Sequence, residues 1–254
     1  MCRLLAWRSA EALTPAAVLG PDRERLAELS RVHCDGWGIA TVTSDTDLHI
    51  ERGDAPAHLC ADFAAAMASD SSPAGIVHLR WATDDLAVNM GNTHPFTAEL
   101  GDGEIAFEHN GMLPDSELLL PDIDPDIVAG FRGDTDSERY FGLLLTELRR
   151  DPDDLIGAVQ RTAKRLSDVA YTSLNAMILT PSTLAVICLY KPENRDDDVE
   201  EDYFHLTWGI DDDGVVSAWS MGVRPSATFG RPLDNGMLLL VDIATGDIDL
   251  VSID

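Results

Sequence analysis

Basic charge is scarce in this chain. Its 254 residues hold 18 lysines and arginines against 45 aspartates and glutamates, and Lys164 and Lys191 are its two lysines. The formal net charge of -27 repels phosphate backbones and anionic headgroups, which argues against nucleic acid and membrane partners. Such a surface serves solubility, also in a salty cytoplasm, and says nothing about chemistry. Long apolar runs are missing too. No stretch approaches the roughly 20 residues of a membrane span. The run Leu4 to Trp7, flanked by Arg3 and Arg8, is too short for the core of a signal peptide, so the expected location is cytoplasmic. The four cysteines, Cys2, Cys34, Cys60 and Cys188, show no paired spacing and read as free thiols rather than as a disulfide or metal framework. His33, Cys34, His78, His94 and His109 match no zinc spacing, and neither a phosphate-binding glycine loop nor a dinucleotide fingerprint occurs. No metal and no cofactor is therefore expected.

Hydrophobic residues make up 45% of the chain and charged residues 25%, an ordinary globular balance. Short strands are expected at Arg3 to Trp7, Trp37 to Thr43, Leu48 to Arg52, Ile76 to Arg80 and Ile105 to His109. Helices are expected after Thr14-Pro15, after Asp22 and over Ala57 to Ser69. A long loop rich in unusual residues separates Arg80 from Ile105, and such loops are usually functional. Thr135-Asp136-Ser137-Glu138 fits a capping box opening a helix to about Arg149, and Asp153 is placed to cap another through Leu166. The pattern then returns to strands: Asn175 to Leu179, Leu184 to Tyr190, Tyr203 to Trp208, Val215 to Ser220, Met237 to Ile243 and Ile248 to Ser252. Glu193 to Asp202 carries seven acidic residues and reads as a solvated loop. Strands, two helices and more strands, with no linker or composition shift, predict sheets covered by helices in one domain spanning 1–254.

Several segments can carry chemistry. Removal of Met1 would expose Cys2 with a thiol and a free α-amine on one residue. That amine titrates near 8, so a useful fraction is a neutral base at pH 7 beside a thiol. The alternative is a small apolar side chain opening a strand. Arg80 would emerge at a strand end, where its guanidinium suits an α-carboxylate; a surface ion pair is the plainer reading. Asn110-Gly111 is either a turn or a close approach of backbone, and in the second case it could donate to a developing oxyanion. Asp136 is either a substrate ligand or a helix-start carboxylate stabilised by the dipole.

Taken in order, Cys2, His33-Cys34-Asp35-Gly36-Trp37-Gly38, Arg80-Trp81-Ala82-Thr83, Asn92-Thr93-His94-Pro95-Phe96, His109-Asn110-Gly111 and Asp134-Thr135-Asp136-Ser137-Glu138 resemble the class II glutamine amidotransferases. The likeness covers about the first 140 residues. It implies the N-terminal-nucleophile hydrolase fold, an α+β four-layer αββα sandwich of two mostly antiparallel sheets. It also implies roles. Cys2 attacks the glutamine amide and forms a γ-glutamyl thioester, its α-amine handles the proton, and Asn110 and Gly111 form the oxyanion hole. Arg80 takes the α-carboxylate and Asp136 the α-ammonium; Thr83 and His94 match pocket positions, and Trp81 matches the closing loop. His94 orders the pocket rather than acting as base. After Thr83 the chain departs from the synthase members, reading Asp84-Asp85-Leu86-Ala87-Val88-Asn89-Met90-Gly91 where they have a short glycine-containing loop. The expected activity is a glutaminase acting alone or feeding ammonia to a separate synthase subunit. An alternative is an amidohydrolase of a γ-glutamyl amide, as in ergothioneine biosynthesis, whose short members share the Met1-Cys2-Arg3 start. A non-catalytic glutamine- or glutamate-binding protein is the alternative of another class.

Overall fold

A computed structural model describes residues 2–44, 46–69, 71–82, 86–195, 200–223, 225 and 229–253. The described strands are β1 (Arg3–Leu13), β2 (Trp37–Val42), β3 (Leu48–Gly53), β4 (Ser72–Leu79), β5 (Phe96–Leu100), β6 (Gly103–Asn110), β7 (Asn175–Leu179), β8 (Thr183–Cys188), β9 (Leu206–Ile210), β10 (Val216–Ser220), β11 (Arg231–Leu233), β12 (Met237–Asp242) and β13 (Ile248–Ser252). The described α-helices are α1 (Pro15–Leu19), α2 (Arg23–Leu29), α3 (Ala61–Ser69), α4 (Pro125–Ala129), α5 (Asp136–Leu148) and α6 (Leu155–Leu166).

The strands form two sheets, ordered β11-β9-β10-β1-β4-β2-β3 and β13-β12-β8-β7-β6-β5. Each described pairing is antiparallel. Three apolar layers explain why both sheets are covered on both faces. Leu4, Ala6, Ile76, Met177, Val186 and Leu239 fill the space between the sheets. Leu5, Trp7, Leu19, Phe63 and Trp219 pack the first sheet against α1–α3. Ile105, Phe107, Phe141, Leu144 and Val159 pack the second against α5 and α6. The result is an α+β, four-layer αββα sandwich, as the resemblance implied.

With both faces buried, a central strand has no polar side to alternate. This is why β1 carries the unbroken run Leu4-Leu5-Ala6-Trp7, with Leu4 and Ala6 facing one core and Leu5 and Trp7 the other. Leu4 and Leu5 each stabilise the fold by about 1.5–3 kcal/mol through burial alone. Among the described residues no helix is long and apolar enough to cross a membrane.

Differences from the sequence reading are local. The loop between Arg80 and Ile105 contains β5, whose Phe96 and Ala98 pair with Phe107 and Ile105 of β6. Asp154, not Asp153, caps α6, accepting from the Gly157 N–H at 2.8 Å. The capping box of α5 is half formed. Thr135 Oγ1 accepts from the Glu138 N–H at 3.1 Å, but the Glu138 carboxylate turns outward to the N–H groups of Arg132 and Gly133. The strand expected from Tyr203 begins at Leu206, and β11 was not foreseen. In the acidic stretch Pro192–Asn194 makes a 3-10 turn, and 196–199 lie outside the described residues.

Candidate active site

Topology gathers the motifs at one end of the sandwich. β1 starts beside the end of β4, with Arg3 opposite Leu79, so Cys2 and Arg80 leave the first sheet together. β6 ends in the facing sheet at Asn110, and α5 starts with Asp136 above it. A narrow cleft of about 30 Å³ is lined by Cys2, Arg80, Trp81, Asn92, His94, Gly111 and Asp136, among others. The cavities of several hundred Å³ elsewhere do not gather this set of groups, although one of them is lined by the Cys60 thiol, so volume does not locate the chemistry.

Cys2 is buried, and its nitrogen donates to Asn110 Oδ1 at 2.7 Å. In the 254-residue chain that nitrogen is a peptide N–H; it occupies the place of the α-amine of a chain lacking Met1. Because the Cys2 nitrogen is a donor, the Asn110 amide must present its oxygen there, and Asn110 Nδ2 is left buried without a partner. The Cys2 thiol lies 3.9 Å from the Trp81 carbonyl oxygen. Its own carbonyl is held twice, by Arg3 Nη1 at 3.1 Å and by the Tyr203 hydroxyl at 3.4 Å, while the Arg3 guanidinium stacks 4.4 Å above the Tyr203 ring.

Gly111 does not have a positive φ, so it is not there for a turn. A Cβ at this position would stand 1.9 Å from the Ser173 carbonyl oxygen, and the glycine is required by that close approach. The same carbonyl accepts from His109 Nε2 at 2.9 Å, which leaves His109 Nδ1 to accept from the Ser137 hydroxyl at 2.9 Å. His109 is thus a strut between β6, the start of β7 and the first turn of α5. Burial holds its pKa below the ordinary histidine range.

Arg80 is 3% exposed and donates to the carbonyls of Asp35 at 3.2 Å and Ala87 at 3.4 Å. Burial pulls its pKa down, against the opposing influence of Cys2 and Asp35. Asp35 braces the strand end further, accepting from the Ala82 N–H at 2.8 Å. The Gly36-Trp37-Gly38 part of that motif has a steric origin, because a Cβ on Gly38 would stand 2.0 Å from the His94 carbonyl oxygen. Asp136 accepts from the Leu113 N–H at 2.7 Å and the Ser137 N–H at 2.8 Å, so it anchors the helix start as well as facing the cleft.

His94 is 4% exposed, sandwiched between His78 and Phe96 with ring centroids 4.3 and 4.6 Å away. Neither of its ring nitrogens has a hydrogen-bond partner. Burial, then the neighbouring imidazole and guanidinium charges, hold its pKa well below the ordinary value, so it is neutral. His78 is brought down to about 3, chiefly by burial, and its Nε2 lies 3.3 Å from the His109 carbonyl oxygen. Trp81 is 42% exposed at the cleft mouth. Thr83 lies outside the described residues. No group of three or more metal-binding side chains is found among the described residues.

Sequence reasoning assigned no part in the site to five contributors. Asp35, Ser173 and Tyr203 act through backbone contacts that leave no spacing signal, and Arg3 was noted for the shared start but given no part in the site. Glu108 is the fifth. It is fully buried on β6, on the same strand face as Asn110, and neither carboxyl oxygen has a partner. Burial, with a smaller contribution from Cys2, raises its pKa well above the carboxylate range.

Comparison with known proteins agrees with this arrangement. The pattern of the family described as "Glutamine amidotransferases class-II" matches residues 1–177. A Haemophilus influenzae protein named "Putative glutamine amidotransferase" is 30% identical over 200 residues, which cover 76% of this chain and 64% of that protein. The glutamine phosphoribosylpyrophosphate amidotransferase of B. subtilis superposes with a TM-score of 0.69 at 17% identity, over all of this chain and 49% of its own. A glutamine aminotransferase class-II domain protein from Silicibacter pomeroyi superposes with a TM-score of 0.67 at 18% identity, over the full length of both. The chain thus spans under two thirds of the H. influenzae relative and about half of the B. subtilis enzyme. The two solved structures show the N-terminal-nucleophile hydrolase fold, and with the family pattern over residues 1–177 the chain belongs to the class II glutamine amidotransferases.

Proposed function

We propose that this chain hydrolyses the side-chain amide of glutamine through Cys2, releasing ammonia and glutamate. The observation that carries the reading is the Asn110 amide, whose oxygen holds the Cys2 nitrogen at 2.7 Å while its Nδ2 is buried and unpartnered. An unpartnered buried donor beside a nucleophile is a group waiting for negative charge.

With Met1 removed, the α-amine takes the thiol proton, and its lone pair is free because Asn110 Oδ1 engages only an N–H. The thiolate attacks the γ-carbonyl carbon. Asn110 Nδ2 and the Gly111 N–H take up the charge on oxygen, each such donor lowering the barrier by about 3 kcal/mol. The ammonium returns its proton to the departing nitrogen, ammonia leaves, and a γ-glutamyl thioester remains. Water, deprotonated by the same amine, then releases glutamate and restores the thiol. Arg80 binds the α-carboxylate with the N–H groups not given to Asp35 and Ala87, and Asp136 uses its remaining lone pairs for the α-ammonium. His94, neutral and enclosed, shapes the pocket, and Thr83 is assigned to the same wall from the motif. At about 30 Å³ the cleft admits little more than water, so Trp81 and Leu86 must part to admit glutamine. The reaction is placed in the cytoplasm, within a single domain over 1–254, and its ammonia can pass to a separate synthase subunit.

The test is incubation of the purified protein with glutamine and with a glutamine-like diazoketone. Glutamate release with covalent labelling of Cys2 supports the reading, and a fully active Cys2→Ala protein ends it. A second reading rests on the resemblance of the Met1-Cys2-Arg3 start alone: the substrate is a larger γ-glutamyl amide. Relative rates on glutamine and a panel of such amides separate the two. Retention of Met1 in the intact mass would instead favour a non-catalytic glutamine- or glutamate-binding protein.

A further inference from the structure

A second cavity, of about 420 Å³, lies against the back of the wall that lines the Cys2 cleft. The two spaces share their partition. Asn92, His94 and Thr135 face the cleft, while Gly91, Phe96, Arg132 and Glu138 face the cavity. Phe96, Phe131 and Phe141 supply flat apolar walls, and the edge strand β5 forms one side.

Two guanidinium groups converge there. Arg52, near the end of β3, is half-buried, and its Nη1 donates to the carbonyls of Thr93 at 3.0 Å and Pro95 at 3.2 Å. The group makes no other hydrogen bond among the described residues. The Arg132 guanidinium makes none there, and neither arginine forms an ion pair with a carboxylate. Burial first, and then the charge of Arg132, pull the Arg52 pKa down; the Glu138 carboxylate opposes them. Glu138 is already engaged by the N–H groups of Arg132 and Gly133. Of the other charged groups on the cavity, Asp126 is paired with Arg149, and Glu99 is exposed.

Single arginines are held by backbone carbonyls elsewhere too, at Arg3, Arg8 and Arg80, but six others are paired. Arg31, Arg139, Arg149, Arg150, Arg161 and Arg165 each meet a carboxylate within 4 Å. With 45 acidic residues available, partners are not in short supply. Two like charges are nevertheless set side by side, one of them partly desolvated, and the carboxylate beside them, Glu138, is already taken by the N–H groups of Arg132 and Gly133. Bringing cations together in a sheltered space is unfavourable until an anion joins them, and a guanidinium fork is the group best matched to a planar or tetrahedral oxyanion. The volume falls in the range of roughly 300–1,000 Å³ typical of small-molecule sites, and apolar walls with a few convergent polar groups are their usual lining.

We propose that this cavity is a binding site for a small organic anion, a carboxylate or phosphate carried on a flat apolar body. The anionic group sits between Arg52 and Arg132, and the apolar body lies against Phe96 and Phe131. Because Arg52 is tied to the carbonyls on either side of His94, the site is built onto the partition of the Cys2 cleft, yet its occupancy needs no reaction at Cys2.

The experiment is calorimetric titration of the full chain with phenyl phosphate, benzoate, inorganic phosphate and neutral benzamide, each with and without saturating L-glutamate. The expected result is saturable one-to-one binding of phenyl phosphate or benzoate that persists with glutamate present. Arg132→Met, an exposed position whose loss leaves the fold intact, and Arg52→Met should each weaken it roughly tenfold or more. Which of phenyl phosphate and benzoate binds more tightly identifies the anionic group. The proposal is overturned if neither binds, if Arg132→Met binds as well as the parent, or if glutamate abolishes binding, which would place the anion on Arg80. Inorganic phosphate or benzamide binding as tightly as phenyl phosphate would equally overturn it, by removing the role of the aromatic walls or of the guanidinium pair. None of these readouts depends on glutamine hydrolysis.

Discussion

Glu108→Gln removes a buried carboxyl whose two oxygens the fold leaves without a partner. The Glu108 carboxyl is 0% exposed, has no hydrogen-bond partner, and has a pKa well above 4.5 because burial penalises its charged form. The folded chain therefore binds a proton here that the unfolded chain has lost once the pH exceeds the unfolded value. Stability must fall as pH rises through that window, by about 1.4 kcal/mol per unit. Glutamine is neutral at every pH and equally unpartnered, so it shares the desolvation but not the slope. His78, His94 and His109 act in the opposite sense below about pH 6.5, being neutral when folded and charged when unfolded. They are common to both proteins and cancel in the difference. Urea denaturation of the two proteins from about pH 5.5 to 7.5 should show the variant gaining steadily on the parent as the pH rises, for as long as the buried carboxyl stays protonated. Glu108→Met, which also removes the orphaned oxygens, should exceed the glutamine variant by about 1–3 kcal/mol at every pH. Parallel stability profiles for parent and Glu108→Gln would show that the carboxyl ionises freely in the fold and refute the reasoning.

Other substitutions test the site itself. Asn110→Ala should lower kcat by roughly 100-fold or more, with a smaller change in KM, because it removes both the oxyanion donor and the acceptor that holds the Cys2 nitrogen; steady-state glutamine hydrolysis reads this directly. Gly111→Ala forces a methyl to 1.9 Å from the Ser173 carbonyl oxygen, so the strand end must shift, and activity should collapse while circular dichroism still reports the fold. Tyr203→Phe should cost about 1 kcal/mol or less in stability and reduce kcat modestly, since Arg3 still holds the Cys2 carbonyl; an effect as large as that of Asn110→Ala would contradict this division of labour.

What was legible in the sequence were features with local causes. The apolar runs of β1, β4 and β7 announce strands buried on both faces, and Thr14-Pro15 and Thr135 announce helix starts because caps and proline act within one turn. Motif residues from Cys2, Arg80, Asn110, Gly111 and Asp136 do meet at one cleft. What was not legible depends on distant partners. Gly111 reads as a turn until Ser173 is known to lie against it, 62 residues away in sequence but in contact. Asn-Gly looks the same in either role. Glu138 completes a capping box on paper, yet the N–H groups of Arg132 and Gly133 compete for it successfully. β5 went unseen although Phe96-Thr97-Ala98-Glu99-Leu100 alternates apolar and polar residues, because this short edge strand follows directly on the His94-Pro95 motif and reads with it as loop. Arg52 carries no motif at all, and its proximity to Arg132 exists only once β3 and the approach to α5 are brought together.

The position of β1 has a consequence for how the protein is made. That strand lies between β4 and β10, so one of its neighbours is not synthesised until residues 216–220 emerge. At typical translation speeds the interval after β4 is on the order of ten seconds. During that time the first residues have only one sheet partner, and an aminopeptidase can reach them. Once β10 docks and Arg3 and Tyr203 close on the Cys2 carbonyl, the bond after Met1 adjoins a residue only 7% exposed. The proposed chemistry therefore calls for methionine removal on the nascent chain. Protein refolded from a form that still carries Met1 should stay inactive even when fully folded.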